Sequence, residues 1–128
     1  MTGTTALPKK IILVIDDDEL IRATLSRLLQ KRNWTVYEAK NGVEGIAMYK
    51  THKPDVILTD ILMPDKEGLE TISEIRHADP HTKIIAISSG GQSQNLSFLQ
   101  LAKKIGASCT INKPVKPDEL FNALDSLV

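Results

Sequence analysis

This chain of 128 residues lacks paired cysteines, an excess of basic charge and long apolar runs, and each absence excludes a class of protein. The single cysteine, Cys109, cannot form an internal disulfide, which argues against a disulfide-stabilised secreted fold. The 16 basic and 16 acidic residues cancel, so there is no basic patch to hold nucleic acid. No apolar run approaches membrane-spanning length, and the N-terminus lacks a signal-peptide core. We therefore expect a soluble cytoplasmic protein that contacts neither membranes nor nucleic acid directly.

Aromatic and metal-binding patterns are also sparse. Aromatic residues make up 4% of the chain, and the isolated Trp34 does not by itself make a binding site. The three histidines lack the spacing of metal ligands. Hydrophobic residues, in contrast, reach 41%, which is enough for the core of one domain. Residues 1–8 are polar and aperiodic, so we expect a loosely ordered tail before a domain spanning residues 9–128.

Short apolar runs alternate with segments of helical periodicity along this domain. Strands are predicted at residues 11–15, 35–39, 56–59, 83–88 and 109–112, and a helix is predicted after each, from about residues 19, 43, 69, 98 and 117. Most of the strands are continuous apolar runs, as expected for strands buried on both faces. The alternation predicts an α/β fold in which a five-stranded parallel sheet carries helices on both faces.

Local signals add detail to the helices. Asp18 is placed to cap the first helix at its N-terminus, and Gly106 is placed to end the fourth. One face of the second helix is predicted to comprise Val43, Ile46, Ala47 and Lys50.

Polar side chains stand where four of the predicted strands end. Asp16 and Asp17 follow the first strand, Asp60 the third, Ser88 the fourth and Lys113 the fifth. Because the carboxyl ends of parallel strands share one edge of the sheet, these five side chains are expected to meet in one cleft. Asp60 taken alone is equally well explained as a loop cap, but the other four residues favour a chemical role.

The set suits phosphoryl transfer. Three close carboxylates repel one another unless a cation neutralises them, and oxygen-only ligation selects a hard ion such as Mg²⁺. An ammonium from Lys113 and a hydroxyl from Ser88 can neutralise and bind a phosphoryl group. Asp60 is then the natural nucleophile, with Asp16 and Asp17 as metal ligands.

These motifs resemble the receiver domain of two-component response regulators, and the chain is similar to the single-domain chemotaxis regulators. The match runs from about Lys10 to Val128 and includes the acidic pair, Asp60 with Pro64 and Gly68 behind it, Ser88, and Lys113-Pro114. The resemblance implies a doubly wound, flavodoxin-like (βα)5 fold.

The resemblance also implies a function. A sensor histidine kinase or histidine phosphotransfer protein would pass a phosphoryl group to Asp60, and phosphorylation would change binding to an unknown downstream protein. The carbonyl of Leu62 would be a further Mg²⁺ ligand, and the Lys113-Pro114 bond would be cis. Such a domain is a switch and not a turnover enzyme, and it is expected to be a monomer or a phosphorylation-dependent dimer.

Two departures from the family pattern bear on signalling. Many relatives carry a mobile aromatic residue on the fifth strand, where this chain has Thr110. The loop from Ser89 to Ser97 is longer and more polar than usual, and its glycine pair suggests mobility. We therefore hypothesise that this loop and the fourth helix carry the signal.

Other functions remain as alternatives. An aspartate-based phosphohydrolase could use Asp16, Asp18, Ser88 and Lys113, but it needs a further acidic pair at a later strand end and leaves Asp60 unexplained. A flavodoxin-like flavin module is disfavoured because the acidic loop after the first strand would repel phosphate. A phosphate-independent interaction module is the third alternative, although degenerate receivers usually lose the acids or the lysine.

Overall fold

The computed structural model describes residues 10–61, 67–89 and 100–127. Five strands alternate with helices: β1 (Ile11–Ile15), α1 (Glu19–Lys31), β2 (Thr35–Ala39), α2 (Gly42–His52), β3 (Val56–Asp60), α3 (Glu67–Ala78), β4 (Lys83–Ser89), α4 (helical residues 100–105), β5 (Cys109–Lys113) and α5 (Pro117–Leu127). The strands form one parallel sheet in the order β2-β1-β3-β4-β5. This confirms the predicted doubly wound, flavodoxin-like fold, whereas the tail predicted at residues 1–8 lies outside the described residues.

The sheet is covered on both faces, and its central strands are mostly apolar. In β1, Leu13 and Ile15 belong to one buried cluster, and Ile12 and Val14 belong to a second cluster on the opposite face. This alternation is the two-residue period of a strand, and it explains why a continuous apolar run is needed.

Within the described residues, no helix is both long and apolar enough to cross a membrane.

Both predicted helix caps are confirmed. The Asp18 carboxylate accepts hydrogen bonds from the backbone N–H groups of Leu20 and Ile21 at the start of α1. Gly106 follows α4 with a φ of 131°, a conformation that side-chain-bearing residues rarely adopt. These caps fix where α1 begins after the acidic loop and where α4 gives way to β5.

Most of the face predicted for α2 is exposed to solvent. That face comprised Val43, Ile46, Ala47 and Lys50. Only Ile46 packs against the core, whereas the other three are exposed and Gly45 is buried in their place. A Cβ on Gly45 would lie 2.5 Å from Cδ1 of Ile15, so a side chain there would have to displace the side chain of Ile15. The periodicity of apolar residues alone could not reveal a face built on glycine.

Candidate functional site

Three carboxylates converge at the carboxyl edge of the sheet. Asp16 follows β1 directly, Asp17 comes next, and Asp60 is the last residue of β3, the strand beside β1. Oxygens of the three side chains all lie within 4.8 Å of one another. Asp16 and Asp60 are buried and Asp17 is exposed, so the cluster opens to solvent on the side of Asp17.

Lys113, at the end of β5, reaches into this cluster. Its Nζ lies 2.9 Å from Oδ2 of Asp16 and 3.0 Å from Oδ2 of Asp60. Burial alone would lower the pKa of Lys113, but the close contact with the Asp16 carboxylate and the charge of Asp60 outweigh it and raise that pKa above its ordinary value of 10.5. The side chain therefore stays a cation at neutral pH and offsets part of the acidic charge.

The backbone holds Asp60 rigidly. All five residues of β3 are buried, and the N–H of Ile61 donates to the carbonyl of Ile87, which extends the ladder with β4 by one residue. Gly68 of α3 packs directly against the backbone of Asp60 and Ile61. The position of Gly68 matters because a Cβ there would overlap these backbone atoms.

Asp16 is fixed by a residue that sequence analysis missed. Its N–H donates to the carbonyl of Ala39, its Oδ1 accepts from the N–H of Asp18, and its carbonyl accepts a 2.7 Å hydrogen bond from Nη1 of Arg22. The sequence signal that could have indicated this role is Arg22 itself, a cation one turn into α1 and close in sequence to the acidic loop.

Ser88 lies on β4, the strand next to β3 in the sheet. It is fully buried, and it follows Ile87, the β4 residue in register with Asp60. Within the described residues its hydroxyl oxygen has no hydrogen-bond partner. A buried hydroxyl without a partner is unusual, because burial removes its hydrogen bonds to water.

Comparisons with known proteins agree with this geometry. A family model of the response regulator receiver domain matches residues 12–125. The chemotaxis protein CheY of Halobacterium salinarum is 35% identical over 119 residues, covering 93% of this chain and 97% of that protein. CheY of Thermotoga maritima is 37% identical over 119 residues, covering 92% and 97% respectively. A receiver domain structure from Clostridium thermocellum has a TM-score of 0.85 and 31% identity, covering 92% of this chain and 93% of that one.

The chain belongs to the response regulator receiver domains. It is therefore a phosphoacceptor signalling switch of two-component systems, and the resemblance to chemotaxis-type regulators is confirmed. In this receiver domain the carboxylate oxygens of Asp16, Asp17 and Asp60 lie within 4.8 Å of one another, and Lys113 contacts Asp16 and Asp60.

The acidic cluster of this receiver domain fits a metal ion. All its ligand atoms are carboxylate oxygens, which suit hard divalent cations. Oδ2 of Asp16 is buried and accepts no well-aligned hydrogen bond from the described residues, although the ammonium of Lys113 lies beside it as an ion-pair partner. That oxygen retains the capacity to ligate a second cation.

Some of the predicted features lie outside the described residues, and others can be located in the structure. Leu62, residues 90–97 of the proposed signalling loop, and residues 98 and 99 at the predicted start of the fourth helix are outside the described residues. The Lys113-Pro114 bond is cis, as expected. Thr110 is half-buried and lies in register with Ala86 of β4, two residues before Ser88.

Proposed function

We propose that this receiver domain accepts a phosphoryl group on the carboxylate of Asp60, in a Mg²⁺-dependent reaction, from a phosphohistidine. The donor would be a sensor histidine kinase or a histidine phosphotransfer protein. The observation that carries this proposal is the convergence of three carboxylates and one ammonium at the end of β3.

Asp16, Asp17 and Asp60, together with the carbonyl of Leu62, would hold Mg²⁺. When bound, the ion would supply positive charge to the phosphoryl oxygens and offset the repulsion between phosphate and carboxylates. The exposure of Asp17 leaves room for water ligands, which Mg²⁺ usually keeps.

In the transfer step, one oxygen of Asp60 attacks phosphorus while the bond from phosphorus to the donor imidazole nitrogen breaks. The electron pair of that bond goes to the imidazole, which leaves as the neutral or protonated ring, and Asp60 becomes an acyl phosphate. Lys113 already lies 3.0 Å from Oδ2 of Asp60, so its ammonium can follow the charge from the carboxylate to a phosphoryl oxygen. Hydrolysis later restores the carboxylate.

Ser88 would complete the site by donating a hydrogen bond to the phosphoryl group. Its buried hydroxyl oxygen has no partner among the described residues, so it can turn toward a new acceptor without losing a bond there. Because Thr110 cannot fill the role of an aromatic side chain, we propose that the loop from Ser89 to Ser97 and α4 carry the change to a downstream protein.

This role is a switch and not steady turnover. The phosphohydrolase alternative would need Asp18 for chemistry, yet its Oδ1 accepts two backbone hydrogen bonds as the cap of α1. We further propose a cytoplasmic protein, consistent with its single cysteine, which is a monomer or dimerises on phosphorylation.

The test is intact mass after incubation with Mg²⁺ and acetyl phosphate. We expect one phosphate adduct on the wild type and on Asp125→Asn, an exposed carboxylate on α5, and none on Asp60→Asn. Chelation of Mg²⁺ should abolish the adduct. An adduct on Asp60→Asn, or no adduct on a wild type that also fails to bind beryllofluoride, would contradict the proposal.

A further inference from the structure

We propose that Arg22 is a positioning residue for the metal site, acting through the backbone of Asp16. This inference rests on the proposed function, because it concerns the residues that would hold Mg²⁺. Arg22 itself would touch neither the metal nor the phosphoryl group.

The guanidinium of Arg22 is held at two points. Nη1 donates to the carbonyl oxygen of Asp16 at 2.7 Å, and Nε donates to Oε1 of Glu38 on β2 at 3.1 Å. The Arg22 side chain is only 15% exposed, whereas that of Glu38 is 42% exposed. A planar guanidinium that bonds through two nitrogens has a fixed direction, which a flexible lysine ammonium lacks.

This contact controls where the ligand oxygens stand. The N–H of Asp16 is tied to Ala39 on one side, and Arg22 closes the other side by binding its carbonyl, so the peptide that leads to Asp17 is fixed. The N–H of Asp18 then orients the Asp16 carboxylate through Oδ1, leaving Oδ2 toward Lys113. A loose carbonyl at Asp16 would therefore disturb two ligands together.

Arg22 is also a positive charge near a cation site, and this effect has the opposite sign. Its charge alone repels a divalent cation, so removal would tighten Mg²⁺ binding if Arg22 acted only through its field. Removal would weaken Mg²⁺ binding if Arg22 positions the ligands. The direction of the change therefore separates the two roles.

The experiment is calorimetric titration of the metal-free protein with Mg²⁺. We expect Arg22→Ala to raise the Kd about tenfold, at the low end of the effect of outer partners of metal ligands. Arg22→Lys, which keeps the charge but loses the forked geometry, should fall between Ala and wild type. Arg27→Ala removes the same charge from an exposed position on α1 and should stay within about twofold of wild type. An unchanged or lower Kd for Arg22→Ala would overturn the inference.

Two further readouts distinguish a loss of ligand positioning from a general loss of structure, which would also weaken Mg²⁺ binding. In the metal-free protein, amide exchange at Asp18 should accelerate in Arg22→Ala, because the hydrogen bond from that N–H to Asp16 is loosened. With acetyl phosphate, the phosphorylation rate should return to the wild-type value at saturating Mg²⁺. A rate that stays low at saturation would contradict positioning of the metal ligands.

The outcomes also separate this inference from the function it rests on. A folded wild type that binds no Mg²⁺ would refute the metal-dependent function itself. If the wild type binds Mg²⁺ and Arg22→Ala binds it with the same Kd, this inference alone would be refuted. If Arg22→Ala does not fold, Glu38→Gln carries the test, because it keeps Arg22 and weakens only its second anchor; we then expect a smaller rise in Kd, and no rise would count against the inference.

Discussion

Lys113 and Asp60 are 53 residues apart in sequence, yet Nζ of the lysine lies 3.0 Å from Oδ2 of the aspartate. The sheet creates this contact by placing β4 between the strands that carry the two residues. The cation is thus in position before any phosphoryl group arrives, so little reorganisation is needed when negative charge moves outward from the carboxylate.

Replacing Lys113 with methionine should separate metal binding from phosphorylation. We expect the initial rate with acetyl phosphate to fall about 100-fold or more, the usual loss when one charge-stabilising group is removed. Mg²⁺ should bind as tightly as before or more tightly, because a competing cation is gone. Lys116→Met, an exposed neighbour, is the control. A Lys113→Met rate within threefold of wild type would show that the ammonium has no such role.

The same lysine predicts a pH dependence of stability. Its folded pKa is raised above 10.5, so its contribution to stability is fully present below that value and is lost as pH rises through the raised pKa. The difference in unfolding free energy between wild type and Lys113→Met should therefore be constant from neutral pH to about pH 10 and shrink above about 10.5. Urea titrations at several pH values measure it, and a decline that begins near pH 8 would contradict the assignment.

Ser88→Ala should affect phosphorylation without costing stability. The hydroxyl oxygen is buried without a partner among the described residues, so its removal should change the unfolding free energy by less than about 1 kcal/mol. The phosphorylation rate should drop about tenfold, the equivalent of one hydrogen bond to a charged group. Ser88→Thr keeps the hydroxyl and should retain most of the rate. Equal rates for wild type and Ser88→Ala would exclude a contact with the phosphoryl group.

Replacing glycine with alanine should lower the unfolding free energy by different amounts at Gly68 and at Gly45. A Cβ on Gly68 would overlap the backbone of Asp60 and Ile61, which cannot move without disturbing β3. A Cβ on Gly45 would meet the end of the Ile15 side chain, which can rotate away. We expect urea denaturation to show a loss of about 3 kcal/mol for Gly68→Ala and about 1 kcal/mol for Gly45→Ala. Equal losses would mean that α3 shifts as easily as a side chain rotates.

Arg76 of α3 anchors the end of α4. Its Nε and Nη2 donate to the carbonyl of Gly106 at 3.1 and 2.8 Å, and its Nη1 donates to the carbonyl of Asp79. Arg76→Ala should lower the unfolding free energy by about 2 kcal/mol, because these bonds come from a charged donor. Amide exchange should accelerate most in residues 100–107. Lys103→Ala, exposed on α4, should leave that exchange nearly unchanged, and uniform acceleration over the chain would argue against a local anchor.

The order and type of the elements could be predicted because most strands are short apolar runs bounded by turn or charged residues. The predicted strand ends also located Asp16, Asp60 and Lys113, since parallel strands bring their carboxyl ends to one edge whatever their order along the sheet. What could not be predicted was any contact that depends on side-chain direction. In the sequence Arg22 is only a cation near the acidic loop, and the structure alone shows that its guanidinium donates to the Asp16 carbonyl.

The buried side of α2 could not be predicted for a related reason. Hydrophobic periodicity weights a helix face by its large apolar residues, so it selected Val43, which is 76% exposed. Gly45 is buried against the side chain of Ile15, and it has no side chain to contribute to the pattern. Glycine-lined contacts are invisible to such a pattern unless the distance between helix and sheet is already known.

Trp34 is buried just before β2, at the end of the sheet opposite the carboxylates. Five residues of strand, about 16 Å, separate it from the acidic loop. As the chain has one tryptophan, its fluorescence should report global unfolding and remain insensitive to metal or phosphate at Asp60. Stability and occupancy can thus be followed as independent optical and mass signals on the same unlabelled sample.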